Sequence, residues 1–175
     1  KIKINTVVIK NKNLNEINKI IEWDHKNDFY ISLIETMPMG LTDQDRIDQY
    51  VSLADVQKII ETKYSLENID FKTAGPSLYK KTKQTNNLIG FISPLSNNFC
   101  ANCNRIRLTS TGKLYMCLGQ NKNINFREII RSGDISELNS SIDIAMKNKP
   151  KSHDFQISER NQKPYISRHM SVTGG

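Results

Sequence analysis

The sequence lacks any run approaching the roughly 18 apolar residues of a membrane-spanning helix. Its basic first residues lead into an alternating, β-like segment rather than the hydrophobic core of a signal peptide. No membrane partner is expected, and the chain reads as cytoplasmic. Cysteine is scarce and odd in number: Cys100, Cys103 and Cys117 are the three in the chain, and all lie close together. That argues against a secreted disulfide framework, because clustered thiols in a reducing compartment more often hold metal. Histidine is equally scarce, and His25, His153 and His169 all lie far from the cysteines in sequence. Internal repeats and low-complexity segments are missing. So is a stripe of aromatics interleaved with basic residues, the pattern that stacks bases, and nucleic acid is not expected as a partner.

What is present fits a folded chain. Its 175 residues are 37% hydrophobic, enough for one substantial core or two small ones. Lys and Arg outnumber Asp and Glu by 25 to 18, a net charge of +7 that favours anionic partners without choosing among them. Residue 1 is Lys and opens directly inside an alternating segment, so the sequence reads as a fragment with further residues expected before it.

Periodicity predicts an α/β organisation. Residues 1–9 alternate as a strand, Asn13 with Glu16 resembles a capping pair opening a helix through about Lys26, and residues 29–35 read as a second strand ended by Met37-Pro38-Met39-Gly40. This strand–helix–strand unit has the length of parallel β/α architecture. Ser52 and Asp55 start a helix from Leu53 to about Tyr64. Short strands follow around 78–82, 88–93, 106–109 and 114–117, with a turn at Ser110-Thr111-Gly112. Asn125 caps a helix over 126–131, Gly133 stops it, and 135–147 forms the next helix. From Lys151 the residues are polar and poorly periodic, either a docked or a flexible tail. A division into residues 1–65 and 66–175 follows from the change in character after the helix that ends near Tyr64.

In Cys100-Ala101-Asn102-Cys103, a two-residue gap lets two thiolates grip one metal centre from a turn, and Cys117 arrives from the far side of a short hairpin. Three thiolates without a neighbouring fourth ligand suit a 4Fe-4S cluster with one open iron. A zinc site completed by a distant His, or ordinary cysteines, fit the same spacing. Alternation along a strand puts Cys103, Arg105 and Arg107 on one face. At about 3.3 Å per residue they span roughly 13 Å, comparable with an extended nucleoside triphosphate. The planar fork of Arg suits phosphate oxygens. In the first strand Lys3 shares a face with Asn5 and Val7, opposite Ile2 and Ile4, which makes Lys3 a candidate phosphate contact if that face lines a barrel. Met37 follows the second strand where working loops of such barrels lie, and its thioether adapts to flat aromatic or sulfonium ligands.

The segments Lys3-Ile4-Asn5-Thr6-Val7-Val8, Leu33-Ile34-Glu35-Thr36-Met37-Pro38-Met39-Gly40, Gly90-Phe91-Ile92-Ser93-Pro94-Leu95, the run from Phe99 through Gln120, and Met170-Ser171-Val172-Thr173-Gly174-Gly175 together resemble one family. It is the GTP 3′,8-cyclase family, the radical S-adenosylmethionine proteins of molybdenum cofactor biosynthesis, and the resemblance covers the chain in order from end to end. It implies the C-terminal part of a partial TIM-like (β/α) barrel, followed by an α+β extension that carries an auxiliary 4Fe-4S cluster. By motif position Cys100, Cys103 and Cys117 are its ligands. Lys3, Arg105, Ile106 and Arg107 match GTP contacts, Met37 an S-adenosylmethionine contact, and Gly174 and Gly175 a tail that reaches the active site.

The family's reaction converts GTP to (8S)-3′,8-cyclo-7,8-dihydroguanosine 5′-triphosphate through a 5′-deoxyadenosyl radical. S-adenosylmethionine and a second 4Fe-4S cluster belong to an N-terminal half. The product goes to a downstream cyclic pyranopterin monophosphate synthase, and a homodimer is compatible with the reading. Two departures stand out. The Cys-x3-Cys-x2-Cys motif that generates the radical is absent, so this chain alone is expected to be inactive, and Ser32 stands where many members have Arg. Competing readings are another radical enzyme with an auxiliary cluster, which typically has more cysteines and lacks Asn104-Arg105-Ile106-Arg107, and a zinc- and nucleic-acid-binding module.

Overall fold

The computed structural model describes residues 2–173. They form two compact units. The first runs through Met37 and continues with Gln44–Phe99 and Ile157–Gln162; the second comprises Pro38–Asp43, Cys100–Gln156 and the chain from Lys163 onward. The cut at Cys100 leaves the strands between 66 and 92 in the first unit, because they join its sheet. Among the described residues no helix is long and apolar enough to cross a membrane.

In the first unit β1 (Lys3–Val8), α1 (Ile17–Lys26) and β2 (Tyr30–Glu35) form the expected crossover, with β1 and β2 parallel and Lys3 opposite Tyr30. Two helices follow, α2 (Arg46–Gln49) and α3 (Leu53–Glu61). After them come β3 (Leu66–Asn68), β4 (Leu78–Thr82) and β5 (Leu88–Ile92). The sheet order is β1-β2-β5-β4-β3, with β5 parallel to β2 and antiparallel to β4. Val8, Ile31, Leu33, Ile89 and Phe91 pack with Ile17 and Ile21 of α1 and Leu53, Val56 and Ile60 of α3 in one apolar core. The opposite face carries a row in which Asn5 pairs with Ser32, Ser32 with Gly90 and Gly90 with Tyr79. The result is a mixed α/β layer, apolar towards its helices and polar along that row.

Local signals explain most boundaries. Ser52 caps α3, its Oγ accepting from the Asp55 N–H at 3.1 Å while donating to Asp55 Oδ2 at 2.8 Å. Asn13 does something other than the expected capping. Leu14–Glu16 forms a 3-10 turn before α1, and Asn13 turns back to β1, accepting from Ile9 N at 2.8 Å and donating to Val7 O at 2.9 Å. Its short amide satisfies nearby backbone in place of the helix end. The short α2 carries no strong periodic signal. Asp45 caps it and also accepts from Asn161 N at 2.6 Å, while Arg160 donates to both oxygens of Asp48 at 2.7 and 2.8 Å.

The second unit contains the antiparallel set β6 (Arg107–Leu108), β7 (Lys113–Tyr115) and β8 (Asn123–Asn125). The helices α4 (Phe126–Ser132) and α5 (Ile135–Lys147) follow. Asn125 accepts from Arg127 N at 3.1 Å, and Gly133 closes α4 with φ 74°. Leu114, Met116, Phe126 and Ala145 form this unit's core. In this unit parts of the chain after Lys151 are docked: Phe155 and Ile166 are buried, Gly40 N donates to Ile166 O at 2.8 Å, and Tyr165 N donates to Pro38 O at 2.9 Å. The last element is α6 (Met170–Thr173).

Two buried carboxylates differ sharply. Glu35, at the end of β2, accepts from Leu53 N at 3.0 Å, Leu95 N at 2.9 Å, Ser96 N at 3.0 Å and the Ser96 hydroxyl. It ties the start of α3 and the loop after β5 to the end of β2. Glu35→Gln turns an amide N–H towards these donors, and should cost roughly 2–4 kcal/mol in urea unfolding; a loss within about 0.5 kcal/mol, the range of neutral surface changes, would disprove the anchoring role.

Asp24 in α1 is fully buried, and neither carboxylate oxygen has a hydrogen-bond partner among the described residues. Burial pushes its pKa from 3.8 up to about 6. The folded state therefore favours the protonated acid, and stability falls as pH rises between those two values. Asp24→Asn should match the parent near pH 3.5 and exceed it by roughly 2–3 kcal/mol at pH 7.5. Thermal or urea unfolding across that pH range checks this, and a difference independent of pH would contradict it.

Candidate functional site

Cys100–Asn102 forms a 3-10 turn, closed by Cys103 N donating to Cys100 O at 3.0 Å. Side chains three residues apart eclipse in this geometry, which brings Cys100 and Cys103 to the same side of the turn. From there the chain runs extended into β6, shorter than the strand expected over 106–109. Exposure nevertheless alternates: Cys103, Arg105 and Arg107 are half-buried and Thr109 buried, whereas Asn104, Ile106 and Leu108 are exposed. Arg105 and Arg107 thus share a side with Cys103, as expected from a period of two, and Ile106 faces away.

The hairpin turns at Gly112, where φ is 81° and a Cβ would lie 2.9 Å from Arg127 Cβ. Arg107 pairs with Tyr115 across it, so the returning arm reaches Cys117 beside the outgoing arm. Gly119 N donates to Cys117 Sγ at 3.4 Å. Burial pushes the Cys117 thiol up, and the nearby Cys100 and Cys103 sulfurs push the same way against the opposing effects of the Gly119 N–H and the Lys149 charge. Burial likewise holds the Arg107 guanidinium below its ordinary value, reinforced by Arg105 and opposed by Cys103 and Cys117. Three half-buried thiols and two guanidiniums therefore act on one another along one hairpin.

As a donor set the three thiols suit a soft metal or an iron–sulfur cluster. Among the described residues, no group of three or more His, Cys, Asp and Glu side chains is arranged to hold a metal ion. Each histidine has its own surroundings, and His153 stands beside Gly119 in the Cys117 loop, where a Cβ on the glycine would lie 2.8 Å from the His153 Cβ. His25 bonds Thr85 Oγ1 at 2.7 Å, His153 Nδ1 accepts from Phe155 N at 3.2 Å, and His169 stands where a Cβ on Gly40 would come within 2.5 Å of its Nδ1.

In the first unit Lys3 Nζ donates to Tyr79 Oη at 3.4 Å. Burial pushes the Tyr79 phenol up, but hydrogen bonding with Thr73, Ser32, Ser77 and Lys3 outweighs it and holds the phenol below its usual range. Ser32 and Ser77 share a buried hydroxyl contact at 3.1 Å. Gly90 makes this cluster possible, because a Cβ there would sit 2.1 Å from Ser77 Oγ and 2.6 Å from Ser32 Oγ. Ser77 and Tyr79 escaped the sequence reading; a glycine in the middle of a buried strand was the available signal. Met37 leaves the end of β2 half-buried, after Thr36 Oγ1 donates to Val8 O at 3.0 Å. Lys3 and Met37 belong to the first unit, the cysteines and arginines to the second, and Gly174 and Gly175 lie outside the described residues.

The chain matches the family Molybdenum Cofactor Synthesis C over residues 29–155. It is 48% identical over 176 aligned residues to GTP 3′,8-cyclase of Erythrobacter litoralis, covering all of this chain and 53% of that protein. To GTP 3′,8-cyclase of Brucella ovis it is 45% identical over 175 residues, covering 99% of this chain and 51% of the relative. The Rhizobium etli protein of the same name is also 45% identical, over the whole of this chain and 51% of its own length. The chain thus spans about half the length of these relatives and corresponds to their C-terminal half. With the thiol-bearing hairpin inside the matched region, it belongs to the GTP 3′,8-cyclase family of molybdenum cofactor biosynthesis.

Proposed function

We propose that this chain is the substrate-holding part of a GTP 3′,8-cyclase, with Cys100, Cys103 and Cys117 carrying an auxiliary 4Fe-4S cluster and Arg105 and Arg107 binding the phosphates of GTP. The observation that carries the reading is the shared side of Cys103, Arg105 and Arg107, continued by Cys117 on the returning arm. The relatives' name supplies the substrate, and the half-buried guanidiniums supply charge-assisted donors for it. Held by Cys100, Cys103 and Cys117, such a cluster would supply Lewis-acid chemistry for anchoring the base of the substrate. Arg105 and Arg107 then orient the triphosphate, fixing the ribose for a committed step. Ile106, on the opposite and exposed side of the same segment, enters as a backbone or edge contact of the nucleotide.

In the first unit, Lys3 is a further GTP contact, its ammonium oriented by the Tyr79 hydroxyl. Met37 is a contact for S-adenosylmethionine, at the C-terminal end of a strand that we take as part of a partial TIM-like barrel wall. Gly174 and Gly175 act as a tail entering the active site. The radical originates in a Cys-x3-Cys-x2-Cys segment with its own 4Fe-4S cluster, which this sequence does not contain, so the chain by itself binds without turning over.

Anaerobic purification followed by iron and sulfide assay and a GTP titration tests the reading. Iron with sulfide and saturable GTP binding is the expected result; zinc in their place, or salt-sensitive RNA binding without GTP affinity, would overturn it. Arg105→Ala and Arg107→Ala should each weaken GTP binding about 10- to 100-fold, from the loss of a charged hydrogen bond worth roughly 1.5–3 kcal/mol, with iron content near that of the parent. Unchanged affinity would remove the phosphate role. Cys117→Ser should lower iron and sulfide per chain, and an unaltered metal content would strike Cys117 from the ligand set.

A further inference from the structure

The loop that bears Cys117 lies outside the β-ladder. β7 ends at Tyr115 and β8 begins at Asn123, while on the outgoing arm β6 begins only at Arg107. Carbonyls at Arg105 and along Met116–Gln120 therefore need partners other than a neighbouring strand. Two cations from distant parts of the second unit supply partners for four of these carbonyls. Lys149, just past α5, donates to Arg105 O at 2.7 Å and Met116 O at 2.8 Å. Arg168, in the docked C-terminal segment, donates through Nη2 to Leu118 O and Gln120 O, each at 2.7 Å, and through Nη1 to Asn121 Oδ1. The Arg168 guanidinium also lies 4.3 Å from the centroid of the Tyr115 ring.

We infer that Lys149 and Arg168 are positioning residues that brace the two arms of the cysteine hairpin, so that the Cys117 loop is held in shape for its cofactor. Lys149 replaces the ladder bonds missing beyond Arg107, joining the residue between Cys103 and Arg107 to the residue just before Cys117. Arg168 closes the following turn and fastens the C-terminal segment to it. Charge adds a second effect. A cluster held by three thiolates carries negative charge that grows on reduction, and a nearby ammonium and guanidinium favour the reduced state. The purpose of the brace, though not its geometry, rests on the cluster reading above.

The experiment compares the parent chain with Lys149→Met, Lys149→Arg and Arg168→Met, each reconstituted anaerobically with iron and sulfide. Lys149→Met and Arg168→Met should lose iron to a chelator at least tenfold faster than the parent and show a lower cluster midpoint potential. Lys149→Arg, which keeps charge and donors, should recover most of both. Hydrogen exchange of the metal-free proteins provides an arm independent of the cluster: amides over residues 116–121 should exchange at least tenfold faster in the two Met variants. A parent that binds no iron and sulfide sinks the cluster, and the exchange arm then decides the brace alone. A loaded parent whose Met variants keep its chelation rate, potential and exchange sinks the brace and leaves the cluster standing. Should a Met variant fail to fold, Lys149→Arg and Arg168→Lys carry the comparison, and parent-like exchange together with parent-like iron release in Arg168→Lys, which lacks the fork, would overturn the Arg168 assignment.

Discussion

The first unit depends on the buried carboxylate of Glu35. It stands at the end of a central parallel strand and collects the backbone of α3 and of the loop after β5 around one charge. A carboxylate taken out of water needs its lone pairs filled, and here the donors come from two segments far apart in sequence. The ends of β2 and β5 are fixed as a consequence, and chain leaving those ends starts from a defined place. Met37 follows Glu35 by two residues, so its launch point inherits that rigidity. The same constraint explains why Glu35-Thr36 and Ser93-Pro94-Leu95 stand out as motifs: one supplies the acceptor, the other leads into the donors.

The second unit solves the inverse problem. Its thiol-bearing hairpin has too little strand to satisfy its own carbonyls, and cations supply the missing donors. A longer ladder would hold the loop as well but would bring neutral N–H groups instead of charge. Placing ammonium and guanidinium groups beside thiols combines shape with electrostatic support for the thiolate form.

Legibility in the sequence followed the range of the interactions. Local rules located the Ser52, Asn125 and Gly133 helix ends, because each acts within a few residues. Period-two alternation put Cys103, Arg105 and Arg107 on one side even though only Arg107 lies in a paired strand. Asn13 was misread because a short amide serves a helix end and a strand end equally well, and the choice depends on where β1 stops. The Lys3–Tyr79 contact, the four donors to Glu35 and the bonds made by Lys149 and Arg168 join residues far apart in sequence, and no local pattern announces them. The tail looked undistinguished because its binding groups are polar and aperiodic, and they pair with scattered carboxylates and carbonyls rather than with a periodic face.

The position of β1 at one end of the strand order has a further consequence. Its six residues offer an outer row of backbone donors and acceptors that no described strand covers. Such a border recruits whatever extended segment is nearest, in the same chain or another. Lys3, a lone cation on that border, opposes stacking of identical copies but does little against an unlike strand. An extended segment laid along that border would complete its backbone hydrogen bonds without touching either core.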